Sequence, residues 1–232
     1  MNTERVAVAF SKVSANSMVN VQEVPADNME KIRKSGLPKF IQQLIALAGL
    51  VAFSPILLLT ALFIRLESPG DAIFTQTRVG LKGRRFKIYK FRSMRLSTDP
   101  KYIDIRQLKA DREGVCAKLF KDPRITRIGR FIRKSSIDEL PQLINVLKGD
   151  MLLIGPRPAL PQETDIYTKK AFGRLGSIPG LTGLWQVSGR ADTTFDEQVE
   201  LDLRYAKQRS LFEDIRILWM TVPAVIFGKG AY

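Results

Sequence analysis

Histidine is absent from this chain, and cysteine occurs once, at Cys116. Without histidine there is no Ser-His-Asp nucleophile and no His-ligated zinc. A single cysteine excludes an intramolecular disulfide and fits a reducing compartment. Acid–base or nucleophilic work therefore falls to carboxylates, lysine, tyrosine, serine or Cys116. Acidic residues are also scarce: 23 stand against 37 basic ones, for a net charge of +14. Such a charge attracts an anionic partner, whether nucleic acid, an anionic bilayer or a phosphate-bearing substrate. No internal repeat and no low-complexity tract is present. Residues 1–38 are polar, lack the continuous apolar core of a signal peptide, and read as a mobile tail.

What is present is one long apolar stretch, Phe40 to Ile64, broken near its middle by Ser54-Pro55. A straight helix over it would measure about 37 Å, against a hydrocarbon core of roughly 30 Å. Length alone permits a span. Pro55 lacks an N–H, so the Val51 carbonyl loses its helical partner, and Ser54 before it is biased away from helical angles. The Ser54 hydroxyl is placed to satisfy a freed backbone group. Lys31, Arg33, Lys34 and Lys39 precede the stretch; Arg65, Arg78, Lys82, Arg84 and Arg85 follow it. The positive-inside tendency puts both flanks on the cytoplasmic side, which a re-entrant hairpin allows and a single span does not. A kinked span and a buried soluble helix are the other two readings.

With hydrophobic content of 45%, the remaining length suits one compact domain. Glu67 to Asp71 reads as a turn. Ile73–Thr77 and Arg85–Phe91 read as a strand pair joined through Gly80-Leu81-Lys82-Gly83. Ser97 to Val115 is charged and expected to be partly helical, and Asp122-Pro123-Arg124 marks a boundary. Arg124, Arg127, Arg130 and Arg133 then recur every three residues, with Ile125, Ile128 and Ile132 between them. That pattern suits a helix lying on an anionic bilayer, and equally a basic face over the protein's own core.

Ser136 followed by Glu139 is a capping-box signature, ahead of an apolar stripe at Leu140, Leu143, Ile144 and Leu147. Asp138 and Glu139 would then sit in a first helical turn, where the helix dipole favours acids without any catalytic role. The alternative is chemical: such carboxylates offer Mg²⁺ hard oxygen ligands, and one can attack phosphorus. After a short strand at Leu152–Ile154, Gly155-Pro156-Arg157-Pro158 presents a single arginine suited to phosphate. Pro179 to Gly183 and Ser188-Gly189-Arg190 are turn-rich. Leu211, Ile215, Leu218, Trp219 and Val222 form a last apolar stripe, interrupted at Pro223, which is either core or interfacial.

As an ordered set these segments resemble the bacterial sugar transferases, the monotopic phosphoglycosyl transferases, from about Lys39 to Tyr232. The residues carrying the resemblance are Ser54-Pro55, Lys90-Phe91-Arg92-Ser93-Met94, Asp122-Pro123-Arg124-Ile125-Thr126, Asp138-Glu139-Leu140-Pro141-Gln142, Gly155-Pro156-Arg157-Pro158 and Pro179-Gly180-Leu181-Thr182-Gly183. The resemblance implies an α+β, mostly helical fold. It would comprise a tail over 1–38, a re-entrant membrane helix over 39–66 broken at Ser54 and Pro55, and a catalytic domain over 67–232 with a short β-hairpin and interfacial amphipathic helices. It implies transfer of a sugar 1-phosphate from a UDP-sugar to polyprenyl (undecaprenyl) phosphate, with release of UMP, to initiate polysaccharide assembly. Asp138 would be the nucleophile, forming a covalent phosphosugar intermediate, and Glu139 with Asp138 would bind Mg²⁺. Arg157, together with Arg92, Arg124, Arg133 and Arg190, would contact substrate. The segment after Trp185 resembles members of exopolysaccharide or O-antigen synthesis, which favours a hexose such as glucose or galactose. The implied location is the cytoplasmic face of the bacterial inner membrane, against anionic lipids, and a homodimer is compatible. One departure stands out: Gln42 lies near where the family commonly carries an aspartate. A membrane-anchored, non-enzymatic binding protein is the alternative reading. Nucleic acid is not expected as a partner, since no standard binding signature occurs.

Overall fold

The computed structural model describes residues 36–104, 122–189 and 193–226. The tail, most of the charged Ser97–Val115 segment and Arg190 lie outside the described residues. The fold is α+β and mostly helical. Helices α1 (Lys39–Ala52) and α2 (Ser54–Glu67) lead into strands β1 (Ile73–Val79) and β2 (Arg85–Phe91). Next come α3 (Arg127–Lys134), a 3-10 turn over Ile137–Gln142, α4 (Leu143–Lys148) and β3 (Leu152–Ile154). The short helices α5 (Pro161–Thr164) and α6 (Lys169–Phe172) precede β4 (Gly180–Thr182) and α7 (Leu184–Ser188), and α8 (Phe195–Gln208) and α9 (Leu211–Ile226) complete the order.

The break in the apolar stretch follows from its chemistry. The Ser54 hydroxyl donates to the Val51 carbonyl at 2.7 Å, taking the place of the N–H that Pro55 lacks. Helices α1 and α2 meet there at a bend of 61°, and no single described helix is long and apolar enough to cross a membrane. The chain does not bury this stretch, whose outward faces are bare: Val51 is 67% and Leu58 72% exposed. The inward faces are packed. Ala46 joins Val146 and Met151 in the main core, and Ile64 joins Phe91 and Ile132 in a smaller cluster.

Gln42 is fully buried and bridges two elements. Its Nε2 donates to the Leu37 carbonyl (2.7 Å), and its Oε1 accepts from the Leu153 N–H (2.8 Å). The Leu37 N–H in turn donates to Asp214 on α9 (2.7 Å), and the Tyr205 hydroxyl reaches the other Asp214 oxygen at 2.7 Å. A neutral amide thus ties α1 to β3 with no charge to compensate. Gln42→Leu would leave the buried Leu153 N–H unpaired, at a cost of roughly 1–3 kcal/mol. Thermal unfolding in detergent should show the loss; an unchanged midpoint would rule out this role.

β1 and β2 form an antiparallel pair in register from Ile73 opposite Phe91 to Val79 opposite Arg85. The expected hairpin is there, with β1 running to Val79, two residues past Thr77. Lys82 takes a left-handed φ of 53° in the connection. The described part of the Ser97–Val115 segment is turn rather than helix, held where Asp99 accepts from the Lys101 N–H and from Arg95. β3 and β4 pair in parallel, Leu152 with Gly180 and Ile154 with Thr182. A Cβ on either Gly155 or Gly180 would overlap the other's backbone, so this crossing needs both glycines.

Three local expectations are corrected. The arginine helix starts at Arg127, not Arg124, because Thr126 caps it by accepting from the Gly129 N–H at 2.8 Å. Its apolar side serves the protein's own core, with Ile132 only 1% exposed. The capping box does not form. Ser136 adopts a left-handed φ of 55° with no side-chain cap, and Pro141 shortly afterwards disfavours an α-turn. The segment winds as a 3-10 turn and α4 begins only at Leu143, so Ile144 of the expected stripe faces out while Val146 is buried. Finally, α9 runs through Pro223 without interruption.

Candidate active site

The 3-10 turn carrying Asp138 and Glu139 is held against β2 by Asn145, three residues past Gln142. Asn145 is fully buried; its Nδ2 donates to the Lys87 carbonyl (2.7 Å), and its Oδ1 accepts from the Tyr89 N–H (3.1 Å). The amide completes the free edge of β2 as a strand would. That docking brings Lys90 to Glu139, Nζ to Oε1 at 2.6 Å. Arg157 arrives from the turn after β3. Its neighbour Pro158 is fixed by Arg78, whose Nη1 donates to the Pro158 carbonyl at 3.2 Å.

The two carboxylates are driven apart electrostatically. Burial pushes Asp138 up, Glu139's negative charge pushes it further, and Lys90, Arg133 and Arg157 only partly offset this, leaving it at about 6. Burial also pushes Glu139 up, but Lys90, Arg157 and Arg78 outweigh it and hold Glu139 near 2. Arg78, under burial and beside Arg157, falls to about 10. Neighbouring carboxylates of unequal acidity divide the roles: one stays a fixed anion, and the other becomes the more basic oxygen.

These groups line one cavity of about 1090 Å³. Its lining includes the charged Asp138, Glu139, Lys90, Arg124, Arg133 and Arg157 and the apolar Phe53, Ile56, Leu218 and Val225. Of the arginines expected to touch substrate, Arg133 and Arg157 act on Asp138 through their charge. Arg124 lines the wall while paired with Asp122 at 2.6 Å. Arg92 also reaches the cavity, but it sends four hydrogen bonds to the turn after α2, to Ser68 Oγ, Ser68 O, Gly70 O and Asp71 O. It clamps the exit of the apolar helix pair. Arg190 lies outside the described residues.

Sequence reasoning did not single out Lys90, Arg78 or Asn145 as site residues. Lys90 opens one of the recognised motifs, yet nothing local says that it meets an acid 49 residues later. Arg78 reads as flanking charge, and Asn145 as one polar position inside an apolar stripe.

Two carboxylates on consecutive residues fit Mg²⁺, which is commonly held by one or two carboxylates with the remaining positions left to water and substrate phosphates. Among the described residues no cluster of three or more acidic or cysteine ligands forms an all-protein cage.

Residues 34–228 match the family model described as bacterial sugar transferase. The chain is 38% identical to the exopolysaccharide production protein ExoY of Rhizobium meliloti over 192 residues, covering 82% of this chain and 85% of that protein. It is 43% identical to the UDP-glucose:undecaprenyl-phosphate glucose-1-phosphate transferase of Caulobacter vibrioides over 207 residues, covering 84% of this chain and 72% of that protein. It is 50% identical to galactosyl transferase CpsE of Streptococcus agalactiae over 169 residues, covering 70% of this chain but only 36% of that longer protein.

Proposed function

Because this chain belongs to the bacterial sugar transferase family, we propose that it is a phosphoglycosyl transferase, moving a hexose 1-phosphate from a UDP-sugar to undecaprenyl phosphate at the cytoplasmic face of the inner membrane. The observation that carries the reading is the Asp138–Glu139 pair in a cavity lined by Arg124, Arg133 and Arg157, with Lys90 Nζ 2.6 Å from Glu139 Oε1.

Asp138 attacks the sugar-bearing phosphorus. A carboxylate O–P bond forms, the P–O bond to the bridging oxygen breaks, and that oxygen leaves on UMP. An oxygen of the prenyl phosphate then attacks the same phosphorus. The acyl-phosphate P–O bond breaks, the product diphosphate forms, and the carboxylate is restored. Both nucleophiles are anions at neutral pH, so neither step needs a general base, which suits a chain without histidine. Lys90 keeps Glu139 ionised and oriented, while Arg133 and Arg157 face the charge that develops on phosphoryl oxygens. Mg²⁺, held by Glu139 and Asp138, would supply further positive charge beside the diphosphate.

The bare outer faces of α1 and α2 are the membrane contact, as a bent pair entering and leaving one leaflet. Phe131 and the exposed Arg127 and Arg130 on α3 suit the headgroup layer.

The test is UMP release by protein in nanodiscs, with a panel of UDP-sugars, with and without undecaprenyl phosphate and Mg²⁺. Sustained release with one hexose donor, dependent on lipid, is expected; no release with any donor would leave the non-enzymatic reading standing. The pH dependence is a separate expectation. Since the ionised Asp138 is the reactive form, kcat/KM should fall by about tenfold per unit once the pH drops below the Asp138 value, which is raised in the metal-free site and moves down as Mg²⁺ occupies it. A fall whose midpoint does not move with Mg²⁺ concentration would contradict the joint assignment of Asp138 as nucleophile and metal ligand.

A further inference from the structure

Helix α3 lies between the apolar helix pair and the turn that carries Asp138, and by its own sequence it is a poor helix. It has 8 residues, and Arg127, Arg130, Arg133 and Lys134 are cationic. A helix this short is marginal by itself. Arg130 stands at helical spacing from each of the other three cations, so like charges repel along it. Arg127 also sits at the positive end of the helix dipole, and the first turn contains no acid to oppose it. Gly129 lowers the propensity further, and it is required there because a Cβ would overlap the Ser93 carbonyl.

The missing acid comes from another element. Glu67, the last residue of α2, sends both carboxylate oxygens to the N-terminal amides of α3. Oε1 accepts from the Arg127 N–H at 2.6 Å and Oε2 from the Ile128 N–H at 2.8 Å. Thr126 accepts from the Gly129 N–H, so each of the first amides of the helix has a partner. Glu67 is held in turn, because Arg92 clamps the turn that starts at the next residue. The other end of α3 has no slack. Ser135 Oγ donates to the Phe131 carbonyl at 2.9 Å, the Ser136 N–H to the Arg133 carbonyl at 3.2 Å, and the Glu139 N–H to the Ser136 carbonyl at 3.2 Å. Packing runs the same way: Leu57, Ala61 and Ile64 of α2 share one apolar cluster with Ile128 and Ile132 of α3 and with Ile137, the residue before Asp138.

We infer that Glu67 is a positioning residue for the transfer reaction: by anchoring the first turn of α3 on the end of α2, it sets Arg133 in the cavity beside Asp138. The inference rests on the transferase reading. A cap on a long, self-sufficient helix would add stability and nothing else. Here the helix is about two turns long, and Arg133 lies only about 9 Å along the axis from the anchored residue. A tilt at the first turn is therefore carried to the guanidinium, and a misplacement of about 1 Å in a site of this kind can cost on the order of a hundredfold in rate.

Glu67→Ala is expected to lower kcat about tenfold or more while the KM for UDP-sugar stays within about twofold, the pattern of an interaction made in the transition state. Arg133→Gln should lower kcat comparably. Because Glu67 acts through Arg133, the double variant should be no slower than Arg133→Gln alone. Losses that multiply, or a change in KM alone, would overturn the inference. Where Glu67→Ala fails to fold, Glu67→Gln, which keeps one accepting oxygen, carries the same measurements. Hydrogen exchange in nanodiscs gives a second readout that needs no turnover. Glu67→Ala should speed exchange from Ile128 through Glu139 and leave the β1–β2 hairpin unchanged. Faster exchange confined to the first turn of α3 is what a simple cap would give, and it overturns the inference. Absence of UMP release from wild type with any donor would instead count against the transferase reading, and the exchange pattern then decides whether Glu67 places α3.

Discussion

Asp138→Asn is expected to abolish turnover and at the same time stabilise the protein. The loss follows from chemistry, because an amide cannot take the place of the carboxylate oxygen that attacks phosphorus. A fall of roughly 10³-fold or more is the usual scale for removing a covalent nucleophile. The gain follows from linkage. The Asp138 carboxyl stands at about 6 in the folded protein against an ordinary value of 3.8, through burial and the adjacent Glu139 charge. A group raised on folding stabilises fully below its unfolded value, and that contribution is lost as pH rises through the folded one. Above about pH 6 the native protein therefore carries an ionised carboxylate in an unfavourable place, at a cost of about 1–3 kcal/mol. Asparagine keeps the shape and removes the cost. Thermal unfolding of both proteins at neutral pH and near pH 4, beside UMP release, measures both effects. The midpoint difference should shrink at the lower pH. A helix-capping aspartate behaves differently, since asparagine caps as well and no turnover exists to lose. Retained activity, or a variant less stable than wild type at neutral pH, would defeat the assignment.

The second large effect is on stability, at Arg174 in the wall of the same cavity. Arg174 and Asp202 form a nearly closed ion pair, with side chains 6% and 1% exposed and Nη2 to Oδ2 at 2.7 Å. Arg174 Nε donates to the same oxygen at 2.8 Å, and Nη1 donates to the Tyr167 hydroxyl at 3.1 Å. The guanidinium also lies 5.9 Å from the Tyr167 ring centroid and 5.8 Å from that of Phe195. Asp202→Ala strands this cation in the interior, which costs about 3–5 kcal/mol. In a chain of this size that lowers the unfolding midpoint by roughly 6–20 °C. Replacing both partners with apolar residues, Arg174→Met with Asp202→Leu, should recover much of the loss, because the penalty belongs to the unpaired charge more than to the missing attraction. A single variant costing under about 1 kcal/mol, or a double variant no better than the single, would refute it.

Gln42 takes its role from geometry. Its amide both donates and accepts, so it joins the Leu37 carbonyl to the Leu153 N–H in one step. An acid at this position could accept from Leu153 but, when ionised, could not donate to a carbonyl. Arg92 takes its role in the same way. In the sequence it is one more cation of a basic motif; in the fold it closes the turn at Ser68 to Asp71, where α2 hands the chain to β1.

By itself the sequence determined the features whose causes are local. The apolar run and its proline dictate a bend, with a serine hydroxyl one residue away to meet the freed Val51 carbonyl. β-Branched and aromatic residues around a Gly-containing connection dictate the hairpin, and the missing histidine leaves the chemistry to carboxylates, lysine, tyrosine, serine or Cys116. The tertiary structure alone decided what each charged or polar group faces. Glu139 meets Lys90 across two elements instead of capping its own turn. Asn145 completes the edge of β2, Asp214 reaches back 177 residues to Leu37, and the Lys90 ion pair on Glu139, whose charge then faces the buried Asp138, makes Asp138 the more basic carboxyl. Periodicity along a chain records which face of an element is apolar. It carries no record of which distant element packs against that face, and hydrogen-bond partners and carboxylate basicity are set by that packing.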